Sequence, residues 1–298
     1  MKTTRRTFIK AVAAGTIAAT VVDPTGSRAS EATELFLNDW PERLERTWVG
    51  PEFWANRLQD WQVTNGRLEC VQADPEWPMR TVHLLTRRLG TKQRTFTLTV
   101  RTGVRGGSVK IAPDAAVGFL IGAGGDRMDY RGAALIHHTP GVGGGIFCGA
   151  TAAARPFIRP FTAPLQQQRS PAPATFPNEV LLRLDGQSSG TAINLRLTVL
   201  DPKSGETLGE AIHEDVRPED LAGGIALVSH PGSGNKPGSF WFRDLQLSGS
   251  IEQHDKRNCG PILSALYTVH NNILKLTAQM MPIGSQDHSI AELQIKQS

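Results

Sequence analysis

The chain has 298 residues, enough for one large domain or two modest ones. Hydrophobic residues at 39% and charged residues at 20% make a globular composition and exclude general disorder, while 30 glycines and 19 prolines argue against a helix bundle. The net charge of +4 sits in residues 1–29, where Lys2, Arg5, Arg6, Lys10 and Arg28 face Asp23 alone; the rest carries 27 basic and 27 acidic residues, which removes the main support for nucleic-acid binding.

Lys2, Arg5, Arg6 and Lys10 precede an uncharged apolar run from Ala11 to Val22, followed by Pro24 and Ser27-Arg28-Ala29. That order is the order of a signal peptide over residues 1–29, with cleavage expected after Ala29. The run falls short of the roughly 20 residues that an anchor needs, so no membrane anchor is expected after signal removal. Thr4-Arg5-Arg6-Thr7-Phe8-Ile9-Lys10 resembles the twin-arginine export motif, with Arg5 and Arg6 as its signal residues. An ordinary secretory signal with a basic start is the alternative. The resemblance implies export of an already folded protein to a periplasmic or extracellular location. Cys70, Cys148 and Cys259 fit neither a zinc site nor a disulfide framework, allow at most one bridge, and read as small buried hydrophobes.

A short helical possibility around Glu34 to Arg46 opens the body of the chain. Then Trp61-Gln62-Val63-Thr64, Asn65-Gly66 and Arg67-Leu68-Glu69-Cys70-Val71 predict a hairpin. Asn-Gly suits a type I′ turn and pairs Val63 with Leu68 and Trp61 with Cys70. Alternating apolar positions predict half-buried strands at Phe96, Leu98, Val100; at Val180, Leu182, Leu184; and at Ile193, Leu195, Leu197, Val199. Val117 to Ile121, Gly224 to Ser229 and Ser239 to Leu247 add three mostly apolar strands. Short strands of period 2 with glycine-rich turns point to an all-β, two-sheet sandwich over residues 33–249.

Residues 155–178 carry Pro156, Pro160, Pro164, Pro171, Pro173 and Pro177, which forbid a central strand and predict a long surface insertion, either a lid or a mobile excursion. After a polar boundary at Gly249 to Gly260, residues 258–298 hold three strand-like segments, Ile262 to Val269, Ile273 to Gln279 and Ala291 to Ile295, with Asn271-Asn272 as a turn. Such a piece is too small to close a sandwich of its own, so the chain is expected to stop inside a small β-domain.

Motifs for catalysis are sparse. Gly186-Gln187-Ser188-Ser189-Gly190 matches a nucleophile elbow, yet strand periodicity resumes at Ala192, so Ser188 reads as a hairpin residue. His137-His138 would point to opposite faces of an extended strand and so would not converge on one metal. No Glu-x-Asp-x-x-Glu glucanase pattern occurs. Gly122-Ala123-Gly124-Gly125 and Gly141-Val142-Gly143-Gly144-Gly145 read as turns, not as a dinucleotide fingerprint. Asp126 and Asp129 could assist a loop calcium but read more simply as solvated acids. Trp40, Trp48, Trp54, Trp61 and Trp77 cluster in sequence; Trp61 is assigned inward by its hairpin, which leaves Trp48, Trp54 and Trp77 as candidates for stacking on a sugar. No catalytic, cofactor-binding or metal-binding residue is assigned.

Trp48-Val49-Gly50-Pro51-Glu52-Phe53-Trp54-Ala55-Asn56-Arg57-Leu58-Gln59-Asp60-Trp61, with Asn65 to Cys70 and Val82-His83-Leu84-Leu85-Thr86, resembles the N-terminal region of exported PhoD-like alkaline phosphatases. Val117-Gly118-Phe119, Asp129-Tyr130-Arg131, Gly224 to Ser229 and Phe240-Trp241-Phe242-Arg243-Asp244 continue the similarity, as do Gly260-Pro261-Ile262-Leu263 and Leu274 to Gln279. The resemblance implies a concanavalin-like (LamG-like, jelly-roll) sandwich, then a fibronectin-like or immunoglobulin-like β-domain, then a metallophosphatase domain. The sequence ends before that last domain, so none of its metal-binding catalytic residues carries over; metal ions are implied for the missing part alone. The reading is a non-catalytic recognition or scaffolding module in front of a phosphatase. Its expected partners are an extracellular glycan or a C-terminal metallophosphatase domain. The Trp61 to Cys70 hairpin and Phe242-Arg243-Asp244-Leu245 also resemble the sandwich of 3-keto-disaccharide hydrolases, which would imply a sugar-acting hydrolase. A stand-alone glycan-binding module is the other alternative.

Overall fold

Alternation of apolar and polar side chains sets the strands of this protein, and a computed structural model describes residues 7–10, 35–76, 79–92, 95–107, 109–138, 141–160, 174–233 and 236–295. In chain order the strands begin with β1 (Thr7–Lys10), β2 (Phe36–Asn38), β3 (Phe53–Trp54), β4 (Trp61–Thr64), β5 (Arg67–Cys70), β6 (Arg80–Leu89) and β7 (Thr95–Val104). They continue with β8 (Lys110–Ile111), β9 (Ala116–Ala123), β10 (Gly144–Thr151), β11 (Pro156–Arg159), β12 (Ala174–Thr175), β13 (Val180–Ser189) and β14 (Ala192–Leu200). The last are β15 (Thr207–Val216), β16 (Gly223–His230), β17 (Phe240–Gly249), β18 (Glu252–Gln253), β19 (Ile262–His270), β20 (Ile273–Met280) and β21 (Glu292–Ile295). Two single-turn helices, α1 (Tyr130–Ala133) and α2 (Pro218–Leu221), lie in the connections.

Two antiparallel sheets stack face to face. The back sheet runs β15-β14-β13-β7-β17-β5-β4 with β2 added on β17, and the front sheet runs β11-β10-β9-β16-β6-β18 with β3 added on β6. The all-β, two-sheet sandwich expected from the sequence is the architecture of the chain. The hairpin register is the predicted one, Trp61↔Cys70 and Val63↔Leu68, turned by Asn65 at φ 51° and Gly66 at φ 67°.

The core lies between the sheets. Phe96, Leu98 and Val100 from β7, Leu182 and Leu184 from β13, and Leu195 and Leu197 from β14 meet Phe119 and Ile121 from β9 and Leu227 from β16. Trp61 packs on Phe242 with ring centroids 6.2 Å apart. Strands β9 and β10 differ from the back-sheet strands, because both of their faces are buried. Their outward residues Ala116, Leu120, Ala123 and Phe147 join Ala226 and Val228 in a second, smaller apolar cluster outside the front sheet. A continuous apolar run is the sequence signature of a strand covered on both faces.

Two expectations need correction. Residues 36–38 form a strand on β17 and the segment up to Arg46 is turns and a bridge, not a helix. Leu35 and Leu37 stay exposed while Phe36 is buried, which is strand alternation, and Pro41 stops helix propagation. Within the proline-rich segment, Pro156–Arg159 is an edge strand on β10, where a missing donor can face outward; residues 161–173 lie outside the described residues. The three strand-like segments expected after Gly260 are strands: β19 and β20 form a two-stranded sheet turned by Asn271 and Asn272 at φ 45° and 60°, and β21 pairs with β1.

Candidate functional site

The outer face of the front sheet is built by register. β3 pairs with β6 as Phe53↔Leu84 and Trp54↔His83. Phe53 and Leu84 enter the core, so Trp54 and His83 point outward together, with Thr81 two residues along on the same face. On the far side of β6, Ala226 stands beside His83 and Val228 beside Thr81.

The segment from Asp129 to His138 lies over this face. Asp129 starts it by accepting the Arg131 backbone N–H at 3.0 Å, which caps α1. Three histidines then fasten it. His83 Nε2 donates to the Ile136 carbonyl at 3.0 Å, and burial pushes the imidazole down to about 4. His137 Nδ1 lies 2.9 Å from Thr81 Oγ1 and its Nε2 lies 3.2 Å from Asn56 Nδ2. One neutral tautomer satisfies both contacts: Asn56 donates to Nε2, and the Nδ1 proton goes to Thr81. Burial, with a further contribution from Arg80, lowers the His137 pKa. His138 Nε2 donates to the Arg159 carbonyl at 3.3 Å, and burial lowers its pKa as well.

Beneath the segment the space closes to a crevice of about 20 Å³ between His83, Leu85, Gly224, Met128 and Tyr130, room for little more than one water molecule. Its rim is charged, and its cations have partners. Arg88 bonds Asp126 Oδ1 at 3.0 Å, Arg87 bonds Asp255 at 3.3 Å, and Arg257 stacks 5.2 Å from the Tyr130 ring centroid. The open part of the face is the other end, where half-buried Trp54 and exposed Asn56 stand beside half-buried His137. An indole with uncharged hydrogen-bonding groups around it can stack on an apolar ring face and bond hydroxyls. Nearby carboxylates are engaged elsewhere: Glu52 accepts from Thr86 Oγ1 at 2.9 Å, and Asp60 holds Arg80 at 2.7 Å. Among the described residues no group of three His, Cys, Asp or Glu side chains could hold a metal ion.

Of the candidate tryptophans, Trp54 is placed outward. Trp48 is 4% exposed, its ring covered by the Arg46 guanidinium at 4.5 Å and its edge set against Gly260, so it belongs to the packing and is corrected as a stacking candidate. Trp77, Arg5 and Arg6 lie outside the described residues. Ser188 sits on β13 opposite Ile193, exposed and in a hairpin. His137 and His138 reach different partners, and Asp126 and Asp129 bond Arg88 and Arg131. Cys70 and Cys148 are buried free thiols, whereas Cys259 is half-buried. His83, Thr81 and Asn56 were not singled out by sequence reading; the usable signal was a histidine inside the apolar run Val82 to Leu85.

No protein-family model and no curated protein sequence matches the chain. Among solved structures, peanut lectin is similar at 10% identity, covering 74% of this chain and 98% of its own, with a TM-score of 0.44. Arcelin-5, a lectin-like defence protein from Phaseolus vulgaris, is similar at 7% identity, covering 74% and 99%, with a TM-score of 0.44. Winged bean acidic lectin, solved with methyl-α-D-galactose, is similar at 8% identity, covering 74% and 100%, with a TM-score of 0.43.

Proposed function

We propose that the chain is a non-catalytic β-sandwich module that recognises a glycan on the outer face of its front sheet. The observation that carries this reading is the placement of half-buried Trp54 outward beside exposed Asn56 and half-buried His137, a stacking surface next to neutral hydrogen-bonding groups. The partner it calls for is an extracellular sugar chain, which presents apolar ring faces and hydroxyls. The test is a glycan array followed by calorimetry on the best hit. Trp54→Ala should weaken binding about tenfold, near 1.4 kcal/mol, with an unchanged circular dichroism spectrum. Absence of any retained glycan, or undiminished binding by the variant, overturns the reading.

A second reading keeps the same sandwich as the front part of a PhoD-like phosphatase, exported through the twin-arginine route by Arg5 and Arg6 to the periplasm or beyond. The β19–β20 hairpin favours it: Tyr267, Val269, Leu274 and Leu276 share one face and are 70%, 64%, 41% and 38% exposed. A two-stranded hairpin is marginal without a further layer on such a face. The intact mass of the native exported protein decides this. A mass well above that of residues 30–298, with metal-dependent phosphate-ester hydrolysis, supports it; a mass equal to residues 30–298 refutes it. Retention in the cytoplasm of a variant with Arg5 and Arg6 both changed to Lys tests the route, and normal export of that variant overturns it.

A further inference from the structure

The opposite sheet carries a cleft of its own. Trp241 on β17 lies on the outer side of the back sheet, because Phe240 and Phe242 on either side of it are fully buried in the core, but at 5% exposure its ring is covered and serves to hold the guanidinium groups above it. Its register partners are Glu69 on β5 and Gly103 on β7. The glycine is required there: a Cβ would stand 2.6 Å from Trp241 Cζ2, so the indole lies close against the β7 backbone. Arg67, on the same outer face as Glu69, holds its guanidinium 4.7 Å from the indole centroid, and Arg243 lies at 5.7 Å. A cleft of about 410 Å³ opens beside them, closed on one side by Asp201, Pro202 and Lys203.

The charges around this cleft do not cancel. Glu69 accepts from Arg105 Nε at 3.2 Å and Gln62 Nε2 at 3.4 Å. Glu179 Oε1 is shared by Arg101 at 2.6 Å and Arg243 at 2.8 Å. Asp201 turns into its own loop, accepting the backbone N–H groups of Lys203 at 2.8 Å and Ser204 at 3.0 Å, and these bonds hold its carboxyl below the ordinary carboxylate value. Among the described residues no ion pair joins a carboxylate to Arg67 or Lys203, although the Lys203 charge helps to lower the Asp201 carboxyl, and Arg67 Nε is buried without a hydrogen-bond partner. A guanidinium held by stacking keeps its planar fork in a fixed orientation, which suits bidentate bonding to an oxyanion.

We propose that this cleft binds an oxyanion, the carboxylate or phosphate group of a small ligand, with Arg67 as the fork and Lys203 as the second cation. The cleft is on the sheet opposite Trp54, so its test is independent of the glycan reading.

The experiment is a nitrogen–proton correlation titration of the whole chain at fixed ionic strength with galacturonate, inorganic phosphate and, as a neutral control, methyl galactoside. A saturable shift of the Trp241 indole N–H and the Gly107 amide by at least one anion, and none by the neutral sugar, is expected. Response to galacturonate alone assigns a carboxylate ligand, and response to phosphate alone assigns a phosphate ester. Arg67→Gln should weaken the response at least tenfold. Should that variant fail to fold, Lys203→Gln at an exposed position is expected to cost about threefold. No shift with either anion, or a variant that binds as the parent does, overturns the proposal.

Discussion

Acid should loosen this sandwich through His83. The imidazole is 2% exposed, its Nε2 proton is given to the Ile136 carbonyl, and burial holds its pKa at about 4 against an ordinary 6.5. A folded-state pKa below the unfolded one means that the unfolded chain takes up the proton first. Stability is therefore unaffected by this group above pH 6.5, falls as the pH drops from 6.5 towards 4, and levels once the folded form is also protonated. At 1.36 kcal/mol for each pH unit across that window, His83 alone removes about 3 kcal/mol. His137, which opposes protonation of His83 once it is itself protonated, and His138 are lowered in the same direction and add to the slope. Urea unfolding of the parent and of His83→Gln at pH 7, 6, 5 and 4 measures the term. Glutamine still offers an N–H to the Ile136 carbonyl but does not titrate. The parent should lose about 3 kcal/mol more than the variant between pH 6.5 and 4. Equal losses in the two proteins would refute the reasoning, because they would mean that His83 is not held neutral by its burial.

Two further outcomes can be measured on the same material. Asp60 and Arg80 form an ion pair at 2.7 Å with both side chains 3% exposed, so Asp60→Asn leaves a buried guanidinium uncompensated and should cost about 3–5 kcal/mol in a denaturant titration. Burial raises the Cys70 thiol to about 11 and drives Cys148 higher still, whereas Cys259 is half-buried and raised less. A thiol reagent at pH 8 should therefore modify at most Cys259 in the native protein and all three cysteines after unfolding; rapid native labelling of Cys70 or Cys148 would show that those core positions open.

Much of the scaffold could be read from local pattern. Period-2 alternation located β7, β13 and β14, strand-like segments around Asn271-Asn272 located the β19–β20 pair, and Asn65-Gly66 fixed one hairpin to the residue. It failed where a local pattern served two ends: the segment around Phe36 carries apolar residues that suit either a helix or a strand, and the waiting edge of β17 decided for strand. The candidate site was legible only through Trp54, one of several tryptophans with nothing in the sequence to tell them apart. Trp48 became packing because Arg46 and Gly260 close on it, and Gly260 is 212 positions away.

Composition and alternation by themselves determined an all-β sandwich with a charge-neutral body, since burial of one strand face is a property of neighbouring residues. The tertiary structure alone decided which side chains share an outer face. Trp54 meets His83 through one strand pairing, Asn56 and Thr81 meet His137 through one overlying loop, and Arg67 meets Trp241 across 174 positions of chain. Those meetings are set by which strands pair and in what register, and strand pairing over long separations is settled by the packing of the whole core, not by any local periodicity.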